Sequence, residues 1–148
     1  RIEPLDRFEI TNARSEWRCP WNIDTYRNLW MGENAPGTNP YYGWSITLTV
    51  KNTGLLDSEI DNIFLDGKFL TSSLSAYPDT YVEVWWEDVG RYNASTANNV
   101  VSSLPIGAGQ IARIRLLLPR GLLSSGQIVT VSLVTTIGHA YSKSMTLP

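Results

Sequence analysis

From Trp44 to Lys51 the chain alternates strictly: Trp44, Ile46, Leu48 and Val50 are apolar, while Ser45, Thr47, Thr49 and Lys51 are polar. Successive side chains of a strand point to opposite faces, so this stretch reads as a strand with one face in a core and the other in water. Asn52-Thr53-Gly54 follows with residues that tolerate turn geometry. Ile60 to Leu65 then begins a second strand, and Asp66-Gly67 is a tight-hairpin signal after which Lys68 to Leu70 returns antiparallel.

The same period continues to the end of the chain. Tyr81 to Trp86 places Tyr81, Glu83 and Trp85 on one face and Val82, Val84 and Trp86 on the other. Val100 to Leu104 reads as a short strand, Pro105 to Gln110 as a turn, and Ile111 to Leu118 as a strand with Ala112, Ile114, Leu116 and Leu118 inward. Arg113 and Arg115 fall on the opposite parity, the pattern of a solvated strand face rather than an anion site. Ile128 to Thr136 carries Val129, Val131 and Leu133 on one side; Gly138-His139 has the Gly-X form of a two-residue hairpin turn; and Ala140 to Leu147 is the last strand. With an early strand around Phe8 and Ile10, the count reaches about eight.

Short strands at this spacing, with turn residues between them and no sustained period of 3.6, predict an all-β fold: an Ig-like antiparallel β-sandwich. Ile46, Leu48, Val50, Ile114, Leu116, Val129, Val131 and Leu133 are its expected core. A chain of 148 residues makes one domain with a core that needs no disulfide or metal. Residues 1–148 are therefore read as one unit with one long insertion at about 18–42. That connection is too long for a plain meander, and a short helix is expected over Asp24 to Met31.

Several function classes are disfavoured. Twelve basic residues against fourteen acidic ones, with no Lys/Arg stripe, speak against nucleic acid. Cys19 is the sole cysteine, so neither a disulfide framework nor a thiolate zinc site is expected. No run of about 20 apolar residues crosses a membrane, so no membrane insertion by this segment is expected. The start at Arg1, without Met, leaves room for an anchor ahead of it. His139 is the sole histidine and reads as a turn residue rather than a catalytic base. Glu83, Glu87 and Asp88 lie beside two tryptophans, as glycosidase carboxylates do, but read as a solvated edge and loop. Asp57, Asp61 and Asp66 lack the spacing of a calcium loop. No catalytic residue, metal or cofactor is expected.

Binding is the better expectation. Trp21, Tyr26, Trp30, Tyr41 and Tyr42 fall in the long connection, with Trp17 beside it, and aromatic rings bring contact area at small cost in rotamer entropy. These five form the expected binding segment, with a lid over one open end of the sandwich as the competing role. Asn93-Ala94-Ser95 is a glycosylation sequon in a polar stretch, Arg91 to Asn99, that reads as an exposed loop.

A succession of strand ends carries a resemblance. Leu48-Thr49-Val50-Lys51-Asn52-Thr53-Gly54 leads to Ile63-Phe64-Leu65-Asp66-Gly67-Lys68, then Gly109-Gln110 before the arginine-bearing strand, Ser125-Gly126-Gln127 before the valine-rich strand, and a closing Ser144-Met145-Thr146-Leu147-Pro148. Over the last two-thirds of the chain this resembles the C-terminal β-sandwich of archaeal cell-surface filament proteins: pilins, archaellins and archaellum accessory proteins. The family's long apolar N-terminal helix is not in this sequence, and Cys19 to Tyr42 matches none of its elements. The resemblance thus implies the soluble domain of an anchored accessory protein, located extracellularly or at the cell surface. Its expected partner is itself or a neighbouring envelope or filament protein. The alternative is a carbohydrate-binding module that stacks glycan on Trp21, Trp30, Tyr42, Trp85 or Trp86.

Overall fold

The alternation that begins at Trp44 becomes β2 (Gly43–Asn52), a central strand flanked by β1 (Phe8–Trp17) and β8 (Ile111–Pro119). In this computed structural model, residues 7–17, 43–72, 74–77, 80–96, 103–119 and 121–148 are described, and among them no helix occurs. The other strands are β3 (Ser58–Leu65), β4 (Lys68–Phe69), β5 (Tyr81–Trp86), β6 (Arg91–Thr96), β7 (Leu104–Ile106), β9 (Ile128–Thr135) and β10 (Ala140–Thr146). One sheet has the order β1-β2-β8-β5-β6. The other runs β10-β9-β3-β4, with β7 on the same edge of β3 as β4. Every pairing is antiparallel, and β1 packs against β10 where the two sheets meet along one side.

The eight expected core residues are all fully buried. They interlock as alternation requires: Ile46 faces Leu116 and Leu48 faces Ile114 within one sheet, and Val129, Val131 and Leu133 line the other. Each such aliphatic side chain contributes about 1.5–3 kcal/mol by leaving water. The polar parity of β9 faces outward as expected, where hydroxyls pair across to β10: Thr130 with Ser144 at 2.7 Å and Ser132 with Ser142 at 2.8 Å.

Strict alternation fails at two bulges. In β1 the register shifts between Ile10 and Asn12, so Ala13, not Asn12, lies opposite Leu48. In β3 it shifts between Ile60 and Asn62, which lets Ile60, Ile63 and Leu65 all enter the core while Phe64 faces outward. An extra residue on one strand reverses parity beyond it.

Three expected turns differ from the structure. Arg91 to Thr96 is strand β6, not loop; it pairs residue by residue with β5 after a four-residue turn closed by Gly90 at φ 62°. Its polar composition hid it, because an edge strand gains pairing from its backbone alone. Leu104 to Ile106 is a strand where a turn was expected from Pro105; the proline is tolerated on this short sheet-edge segment. In the last hairpin the turn is Thr135-Thr136-Ile137-Gly138: Gly138 N donates to Thr135 O at 2.9 Å, and Gly138 takes φ 88° at the end of the turn rather than its start. Asp66-Gly67 does form the expected tight hairpin, with φ 50° and 76°. The helix expected over Asp24 to Met31 lies outside the described residues.

The end of β2 is fixed by a buried side chain. Asn52 Nδ2 donates to Leu56 O at 2.9 Å and to Ile106 O at 2.8 Å, while its Oδ1 accepts from Gly54 N at 2.9 Å. Its main chain also exchanges hydrogen bonds with the turn before β8, accepting from Gly109 N and donating to Gln110 O. Asn52→Ala is expected to lower stability by about 2–4 kcal/mol, since two carbonyls lose a donor that is itself fully buried. Asn52→Asp should cost at least as much, because its carboxylate would face those carbonyls without a proton to donate. Urea unfolding of the two variants checks both outcomes.

Candidate functional site

Tyr81, Glu83 and Trp85 occupy the outer face of the first sheet, in register with Leu117, Arg115 and Arg113 of β8. The expectation of a solvated face holds for Arg113, whose side chain is 46% exposed, and fails around Glu83. Glu83 is fully buried, as is Leu117, and Ser45, Thr47 and Tyr81 are buried beside them. Arg115 lies 3.7 Å from the Glu83 carboxylate and stacks over the Trp85 ring at 5.0 Å; Arg113 reaches that ring at 5.9 Å and pairs with Glu87 at 2.9 Å. Burial, and then the charge of Glu83, push the Tyr81 phenol above its ordinary pKa. The cluster is an internally compensated charge pair under aromatic cover. Of the Trp pair considered for sugar stacking, Trp86 is buried, and Trp85 is half-buried with arginines over its ring.

The two open ends of the sandwich differ. At the end where β1 stops and β2 starts, Trp17 lies against Trp44 at 4.9 Å, and Trp44 Nε1 donates to Leu123 O at 3.2 Å. Trp17, Trp44, Leu123, Ser125 and Pro148 line a cleft of about 450 Å³ there. Trp17 is thus the last residue of β1, adjoining the connection rather than inside it. Trp21, Tyr26, Trp30, Tyr41 and Tyr42 lie outside the described residues. Asn93 is in β6, opposite Val84.

The opposite end holds a larger cleft, about 730 Å³, between the two sheets. Its floor includes Trp86 and Ile106, both buried. Its rim comes from three turns: Leu56 after β2, Val89 between β5 and β6, and Ile137 between β9 and β10. These side chains are 54%, 63% and 63% exposed, and neighbouring Leu55 is 71% exposed. Single exposed apolar residues are ordinary, but several around one cleft form a patch of the kind that marks an interaction site. The signal was present in the sequence: Leu55-Leu56, Val89 and Ile137 are large apolar residues set among turn formers, where burial does not explain them.

Charges on this rim are held in place. Asp57 Oδ1 accepts from Ala108 N at 2.9 Å, and Glu59 Oε2 accepts from Ser103 Oγ at 2.6 Å. Across the cleft the Arg91 guanidinium lies 4.5 Å over the Trp86 ring. Gln110 Oε1 accepts from Gly107 N and its Nε2 donates to Asp88, bracing the turn before β8. His139 follows the Ile137 turn and is not among the residues lining the cleft. Among the described residues no cluster of three or more His, Cys, Asp or Glu forms a metal site, and no helix is long and apolar enough to cross a membrane.

No family model matches the chain, and no curated protein does. Among solved structures it is similar to the archaellum periplasmic stator protein FlaG from Sulfolobus acidocaldarius, at 17% identity and TM-score 0.41, covering 95% of this chain and all of that one. A chain in the FlaF and FlaG stator complex of the same organism gives 16% and 0.41, covering 97% and 92%. A flagellar-like filament gives 13% and 0.44, covering 95% and 82%.

The buried pair sets a stability test independent of the clefts. Arg115→Leu should cost about 3–5 kcal/mol, because it takes the guanidinium away from the buried Glu83 carboxylate, whereas Glu83→Leu with Arg115→Leu should cost less than that single change. Denaturant unfolding of the single and double variants measures the difference.

Proposed function

We propose that this chain is a non-catalytic docking domain of an archaeal-type cell-surface filament or envelope, working through protein–protein contacts outside the cytoplasm. The observation that carries this reading is the apolar rim of Leu56, Val89 and Ile137 around the larger cleft, with exposed Leu55 beside it in sequence. Turns mounted on a rigid two-sheet scaffold are where recognition groups collect, and exposed aliphatic side chains around a preformed concavity suit a protein partner. The resemblance in strand exits and turns to archaeal filament domains supplies the setting; the distant structural likenesses add no weight. The aromatics of the 18–42 connection belong to the proposal on sequence grounds, as a second contact region.

At the two described tryptophans named for it, Trp85 and Trp86, the alternative of sugar stacking finds little support. A glycan needs an open ring face, and Trp86 is buried while the Trp85 ring lies under guanidinium groups.

Val89→Asp and Ile137→Asp place a charge in the rim without disturbing the core, so stability should change by no more than about 0.5 kcal/mol. Association with itself, or with purified filament and envelope proteins of the same organism, should weaken by about 2 kcal/mol for each change, as for a lost interface anchor. Size exclusion with light scattering reads the complex, and thermal unfolding reads the fold. Association that survives both changes at full strength sinks the assignment of docking to this end.

A further inference from the structure

We infer that the larger cleft takes a partner-protein segment that presents an apolar side chain flanked by lysine or arginine. This rests on the docking reading above and names the chemistry of its partner. The apolar component follows from the Trp86 and Ile106 floor and the Leu56, Val89 and Ile137 rim. The charge follows from complementarity. Asp57 and Glu59 stand on the wall at the start of β3, each with one carboxylate oxygen bound to the protein and the other without a hydrogen-bond partner among the described residues. Both are oriented before any partner arrives, so pairing with a cation loses little side-chain freedom. Glu87 and Asp88 lie in the β5–β6 turn at the same end, where Arg113 offsets Glu87 and Gln110 binds Asp88, and Arg7, held to Thr53, adds a positive charge outside the cleft lining.

Arg91 is the one cation lining the cleft among the described residues, and it is held over Trp86 on the opposite wall. It leaves the second-sheet wall uniformly acidic. A partner segment bearing glutamates there would meet two fixed carboxylates, which costs affinity and so discriminates between partners. An apolar centre with basic flanks satisfies both the floor and the wall.

Two blocked peptides test this on the whole chain: acetyl-Lys-Leu-Ile-Lys-amide and acetyl-Glu-Leu-Ile-Glu-amide, followed by amide and indole chemical shifts. The lysine peptide should bind saturably, shifting Trp86, Ile106 and Ile137, and the glutamate peptide should not. Asp57→Asn with Glu59→Gln keeps the acceptors for Ala108 N and Ser103 Oγ while removing both charges. It should weaken the lysine peptide about five- to tenfold, the sum of two exposed ion pairs, and remove most of its salt dependence. Equal binding of the two peptides, binding of neither, or unchanged affinity in the double variant overturns the inference. Its failure is separable from that of the docking reading: if Ile137→Asp still weakens association, docking at this end stands and only the charge preference is wrong.

Discussion

Asn52 is the constraint on which the rest of the larger cleft depends. A two-sheet sandwich must bring strands from different sheets together at its open ends, where no ladder is available to hold them. Here one amide does so, donating to the β2–β3 connection at Leu56 and to β7 at Ile106 while its own backbone grips the turn before β8. A side chain with two donors and one acceptor is what this site requires, and only the amides supply that set. Leu56, Asp57, Ile106, Gly107 and Gln110, all part of the cleft wall, lie on segments tied to this residue.

The two outer faces handle polarity differently. On the second sheet, Ser and Thr hydroxyls of β9 and β10 satisfy one another across the strands with no charge involved. On the first sheet a buried carboxylate lies beside a half-buried guanidinium and a tryptophan. Burying such a pair gives little net stability compared with an apolar pair of the same shape, but either member alone is costly. The arrangement therefore fixes the register of β5 against β8: a slip of one residue would separate Glu83 from Arg115 and put each against an apolar neighbour.

What the sequence made legible was set by period. β2 alternates over eight residues, and β8 and β9 alternate over shorter runs; the apolar residues expected inward on all three are buried, while Thr135 joins them at the end of β9 without an apolar side chain to announce it. Legibility stopped where one residue breaks the period, at the bulges near Thr11 and Asp61, and where a strand forms by backbone pairing with a polar sequence, as in β6. Glu83 was misread because alternation tells which face a residue is on, not whether that face is covered. Asn52 looked like an ordinary turn residue, since its partners are distant in sequence. The aromatic connection at 18–42 lies outside the described residues, and the cleft rim of Leu56, Val89 and Ile137 comes together from three turns far apart in sequence, a convergence that no local pattern announces.

The placement of the first and last strands has a mechanical consequence. Phe8 pairs with Asn52 at the end bearing the larger cleft, whereas Leu147 is hydrogen-bonded to Gln127 and Gly126 at the opposite end. A pull between these two points runs along the strand axes, so β1 is dragged lengthwise past β2 and β10 past β9. In that geometry the hydrogen bonds of each ladder carry the load together instead of opening one after another. The Phe8–Tyr141 ring contact, where β1 meets β10, lies across the same line of force. A load applied between these two points would therefore meet the ladders in shear rather than unzip them.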